Sequence, residues 1–121
     1  MSQLERVEQK NYPEIIARVS SNLAKLRQDV PDVMKGFNAL AGAATAEGAL
    51  STKTKEMIAM ALGVAVRCDA CIGFHAKALV KLGVTKQELE EVLGMAVYMG
   101  GGPSLMYAAD ALAAFEQFGG Q

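Results

Sequence analysis

The chain has 121 residues, of which 51% are hydrophobic and 21% charged, and its formal net charge is -1. That length and apolar content support one domain with its own core, residues 1–121, and exclude both a disordered segment and two domains of ordinary size. Acids and bases are nearly equal and scattered, so no run of Lys or Arg offers a footprint for phosphates, and nucleic acid is not an expected partner.

The opening residues, Met1 to Arg6, carry neither the basic start nor the apolar stretch of a secretory signal, so no export is expected. The longest strongly apolar stretch, Met57 to Val66, falls well short of the roughly 20 residues that cross a bilayer. A soluble, cytoplasmic protein with no membrane partner is the expectation. In that reducing setting, two cysteines point to a transient, catalytic disulfide more than to a staple.

Helix is the only recurring period, and an all-α bundle of about six helices is predicted. Asn11 caps the first, with Pro13 near its first turn; Ile15, Ile16, Val19, Leu23 and Leu26 share a face and the helix ends near Val30. The second starts at Pro31-Asp32, presents Val33, Met34, Phe37, Leu40 and Ala41, and fades at Glu47-Gly48. Ser51 or Thr52 caps the third. Its body, Glu56 to Val66, is apolar on nearly every side, so it is expected to be central and buried. The fourth carries both cysteines and stops at Leu82-Gly83. Thr85 and Glu88 form a capping box for the fifth, which breaks at Gly100-Gly101-Gly102. The sixth runs from Pro103 to Gly119-Gly120, with Leu105 and Met106 among the residues offered for packing. Met57, Met60, Met95, Met99 and Met106 are read as helix packing too.

The chemistry-bearing segment is Cys68-Asp69-Ala70-Cys71-Ile72-Gly73-Phe74-His75. At about 100° per residue, positions 68, 71 and 75 fall within an arc of about 60°, on one face of a helix. Cysteines three apart can bridge if the first lies in the first turn, and His75 is one turn beyond Cys71, within reach of its thiol directly or through a water. Both a helix N-terminus and an imidazole raise the thiolate fraction, and a second thiol one turn away can close a dithiol–disulfide cycle without cofactor or metal.

Glu56 can join this group only through a turn. In one straight helix from 56 to 75 it would stand about 18 Å along the axis from Cys68 and about 120° off the stripe. A reversal near Arg67 and Cys68 would instead bring it toward His75. The alternative is a solvated acid favoured by a helix N-terminus. For the cysteines the alternatives are ordinary core residues or a zinc site with His75 and Glu56, although no second Cys or His pair exists to complete the usual ligand spacings. Haem attachment would need a histidine at Ile72.

With Glu56 in Lys-Glu-Met-Ile-Ala-Met-Ala, then Cys68-x-x-Cys71-x-x-x-His75, then Ala76-x-x-Ala-x-x-x-Gly83-Val84-Thr85-x-x-Glu88, the chain resembles the AhpD-like group of the carboxymuconolactone decarboxylase superfamily over roughly Ser51 to Ala96. The resemblance implies the all-helical family fold and a thiol-dependent hydroperoxide reductase or disulfide reductase. Cys71 would be the peroxidatic nucleophile, Cys68 the resolving thiol, and Glu56 and His75 a proton relay, with a thiol or lipoyl-type electron donor. It also implies a homo-oligomer, a trimer or hexamer. Some members carry a histidine immediately before the second cysteine; here that place is Ala70, so a relay through that imidazole is absent. The alternatives are a lactone decarboxylase, which would not be expected to need both cysteines, and a non-catalytic oligomeric or metal-binding module.

Overall fold

The computed structural model describes residues 9–121, so the reading of Met1 to Arg6 lies outside the described residues. Six helices follow one another: α1 (Tyr12–Asp29), α2 (Pro31–Thr45), α3 (Thr52–Ala65), α4 (Asp69–Lys81), α5 (Lys86–Gly100) and α6 (Gly102–Gln117). Among the described residues there is no strand, and no helix is long and apolar enough to cross a membrane.

Local chemistry explains most helix starts. The Asn11 side chain accepts from the Glu14 N–H, and the Ser51 hydroxyl oxygen accepts from the Thr54 N–H. Thr85 and Glu88 form the reciprocal capping box that their spacing predicts. α2 ends at Thr45, short of Glu47, and α6 starts at Gly102, one residue ahead of Pro103.

The core lies between α3, α4, α5 and α6, which pack on one another, with the first turn of α1 laid against α4 and α6. Met60, Val64, Ile72, Leu79, Leu89 and Phe115 are fully buried within it. Each such side chain contributes about 1.5–3 kcal/mol by leaving water. α6 meets its neighbours through Ala108, Ala111 and Ala114, whose small side chains let the backbones approach. Gly73 does the same between α1 and α4: a Cβ there would come within 2.5 Å of Ile16 Cγ2.

Faces on four helices depart from expectation. α3 buries Met60, Gly63 and Val64 but leaves Ile58, Leu62 and its C-cap residue Val66 exposed, the last at 69%. The reason is one-sided cover, since α4, α5 and α6 take the inner face and α2 contributes little. α2 buries only Met34 and exposes Val33, Phe37 and Leu40. Met95, Met99, Leu105 and Met106 are likewise outward, because α5 and α6 meet through Leu89, Leu93, Ala96 and the alanine face. Of the five methionines read as packing, Met60 is in the core and Met57 packs against it.

Candidate active site

The site is built by the connection between α3 and α4. Arg67 takes a left-handed conformation, φ 59°. Its N–H donates to the Val64 carbonyl at 3.1 Å, and the Cys68 N–H donates to the Gly63 carbonyl at 3.0 Å. These two bonds satisfy carbonyls that the end of α3 would leave open and reverse the chain. Cys68 then begins α4 in the same residue: it is the N-cap, in extended conformation, and its sulfur accepts from the Cys71 N–H at 3.2 Å.

Cys68 and Cys71 are joined as a disulfide, with a Cα–Cα distance of 5.2 Å. Both are half-buried. Gly63 lies beneath them, close enough that an added Cβ would touch the Cys71 Cβ at 3.4 Å. One turn further along α4 stands His75. The reversal at Arg67 carries α3 back alongside α4, so Glu56, nineteen residues earlier, meets it: His75 Nδ1 lies 2.6 Å from Glu56 Oε2. Glu56 is the more enclosed of the two, with 13% of its side chain exposed against 30% for His75. A carboxylate that enclosed requires a partner, and the imidazole supplies it. Glu56 is therefore not a solvated helix-end acid. Of the four residues singled out in the sequence, the turn and the α3–α4 pair set Glu56 against His75, and Cys68 is bridged to Cys71 one helical turn before that histidine.

In a neutral imidazole whose Nδ1–H donates to the Glu56 carboxylate, the lone pair left on the ring is at Nε2. That arrangement can hold or pass a proton beside a thiol on the same helix face. Among the described residues, no group of three or more His, Cys, Asp or Glu side chains is arranged to hold a metal ion.

A second set of contacts reaches the same turn from the other side. The Asp69 carboxylate, between the cysteines in sequence, accepts from Tyr12 Oη at 3.0 Å and from Lys10 Nζ at 3.1 Å. Lys10 also donates to Asp110 Oδ2 on α6 at 2.9 Å. The hydrogen bond with Asp110 is the largest influence holding Lys10 above its ordinary pKa. Burial, then the bond to Asp69, pushes the Tyr12 phenol up. Sequence reasoning missed this cluster. Its one local sign is an acid placed between two cysteines; its partners are 57 and 59 residues away.

Known proteins bear on the fold and family. A solved structure of a carboxymuconolactone decarboxylase family protein from Legionella pneumophila, in its apo form, is 59% identical, covers 91% of this chain and 98% of its own, and superposes with a TM-score of 0.89. A protein of the same family from Thermotoga maritima, for which a part in an antioxidative response has been suggested, is 30% identical over 89% of each chain, with a TM-score of 0.73. An uncharacterised protein of Cupriavidus necator is 39% identical over 101 residues, 84% of this chain and 89% of its own. The sequence pattern described as the carboxymuconolactone decarboxylase family matches residues 31–114, a span that holds Glu56, both cysteines and His75. The chain belongs to the carboxymuconolactone decarboxylase family.

Proposed function

We propose that this protein is a dithiol–disulfide oxidoreductase that reduces hydroperoxides. In the reduced enzyme the Cys71 thiolate attacks the terminal oxygen of the hydroperoxide. The S–O bond forms as the O–O bond breaks, the alkoxide leaving group takes a proton, and Cys71 becomes a sulfenic acid. The Cys68 thiolate then attacks that sulfur and displaces hydroxide, which leaves as water once protonated, and the disulfide closes. A lipoyl-type dithiol, or two molecules of a simple thiol, returns two electrons and two protons. His75 takes the thiol proton and yields it to the leaving oxygen, while Glu56 orients the ring through Nδ1.

The observation that carries this reading is the 2.6 Å pair of His75 with Glu56 on the same helix face as the Cys68–Cys71 bridge. Cys71 is favoured as nucleophile because His75 is one turn from it and two from Cys68. The helix N-terminus pulls the other way, toward Cys68. A cytoplasmic, reducing setting suits such a cycle. The exposed stripes Val33, Phe37, Leu40 on α2 and Ile58, Leu62 on α3 with Val66 at its C-cap support a homo-oligomer, a trimer or hexamer, in which they are covered. Light scattering that gives a monomer mass at micromolar concentration would remove that part of the proposal.

The test is a single-turnover peroxide reaction with trapping of sulfenic acid. Cys68→Ser should accumulate a sulfenic acid on Cys71, Cys71→Ser should react little, and Glu56→Gln should stay folded but slow the reaction by about tenfold or more. Sulfenic acid on Cys68 in the Cys71→Ser variant would reverse the assignment. No reaction in any form would overturn the activity.

A further inference from the structure

Asp69 is an awkward residue for a thiol enzyme. It is the first residue of α4, inside the loop closed by the disulfide, and its negative charge competes with a thiolate for the positive end of that helix. The structure answers it with a built contact. Lys10 Nζ and Tyr12 Oη both donate to Asp69 Oδ1, at 3.1 and 3.0 Å. Lys10 is itself held in place. Gln117 on α6 accepts from the Tyr12 N–H at 2.8 Å and donates to the Lys10 carbonyl at 2.9 Å, so the backbone at the start of α1 is pinned on two sides. The ammonium also bonds Asp110 and stands 4.9 Å from the centre of the Tyr107 ring.

As a staple this pair is weak, because Lys10 and Asp69 keep 41% and 35% of their side chains exposed and solvent screens them. Its place next to Cys68 makes it effective as a local charge balance. We propose that Lys10 is a positioning residue of the redox centre: by holding and neutralising the Asp69 carboxylate, it leaves the first turn of α4, whose pull is strongest at Cys68 and still reaches Cys71 as the third residue of the helix, free to stabilise the Cys71 thiolate. This rests on the thiol chemistry proposed above. Among the described residues, the charged and titratable groups around that turn are Glu56 from α3, Asp69 and His75 on α4, Arg67 in the connection, Lys10 and Tyr12 from the start of α1, and Tyr107 and Asp110 from α6.

The experiment measures the alkylation rate of Cys71 by iodoacetamide across pH, on reduced protein, with the modified cysteine located by mass spectrometry. Lys10→Met should lower the rate at neutral pH about threefold and move the midpoint of the profile upward, while Lys10→Arg stays near the parent. In an Asp69→Asn background, Lys10→Met should lose its effect, which a merely structural role would not do. Asp69→Asn alone, the safeguard if Lys10→Met does not fold, should move the midpoint down or leave it in place. An unchanged midpoint in folded Lys10→Met, an equal slowing with and without the Asp69 charge, or an upward shift in Asp69→Asn would each overturn the proposal. A parent profile with the midpoint of an ordinary thiol, still shifted upward by Lys10→Met, would overturn the peroxide reading and keep the role of Lys10. A depressed parent midpoint indifferent to Lys10 would do the reverse.

Discussion

The α3–α4 and α4–α5 connections close with the same hydrogen bonds and different residues. After α4, the Gly83 N–H donates to the Val80 carbonyl at 3.1 Å and the Val84 N–H to the Leu79 carbonyl at 3.0 Å; after α3, Arg67 and Cys68 make the corresponding bonds at the same two distances. The left-handed position is Gly83, φ 76°, in one and Arg67, φ 59°, in the other. Glycine adopts that conformation without steric cost, and arginine does not. The caps differ as well. Thr85 and Glu88 bond reciprocally, whereas Cys68 offers only a sulfur, a weak acceptor. The α4–α5 connection is furnished for stability. The α3–α4 connection forgoes the better residue at both positions and places a thiol at a helix N-terminus, next to an acid–imidazole pair.

The largest effect expected from that contrast is at Gly83. An added Cβ there meets nothing, so Gly83→Val carries only the backbone cost, about 1–2 kcal/mol of stability lost. Denaturant unfolding measures it, and the thiol chemistry of the folded fraction should be unchanged; a neutral result would show that the left-handed position is not costly in this fold. Thr85→Ala should follow at about 1 kcal/mol, by loss of the cap. Arg67→Gly should act in the opposite direction and stabilise by about 0.5 kcal/mol, the gain in the turn being partly offset by the freer unfolded chain. A destabilised Arg67→Gly would mean that the arginine side chain holds the turn. In reduced protein, Cys68→Ser should melt at or slightly above the parent temperature, because a hydroxyl caps better than a thiol, while disulfide formation is abolished.

The smallest effect is in acid. The Thr85 backbone N–H, then Lys53, holds the Glu88 carboxyl below the usual glutamate range. A depressed folded value contributes stability that is present above the unfolded value and lost as pH falls through the folded one. Comparing parent and Glu88→Gln melts, the difference should shrink as pH drops below the ordinary glutamate range. A difference that does not change with pH would remove the charge from the account of this cap.

The amino-acid sequence alone determined what depends on neighbours three or four residues apart: six helices, the Thr85–Glu88 box, and one face shared by Cys68, Cys71 and His75. Helix geometry makes such relations local, so periodicity reveals them. The tertiary structure decided everything that crosses between helices. Whether Glu56 could meet His75 turned on a reversal at Arg67, a residue type that does not announce a left-handed turn, and only the return of α3 along α4 set its carboxylate against the imidazole. Lys10 reached Asp69 because Gln117 pins the start of α1 to α6. The apolar stripes of α2 and α3 were legible as stripes, yet periodicity cannot say what covers a face, and among the described residues nothing covers Val33, Phe37, Ile58 and Leu62.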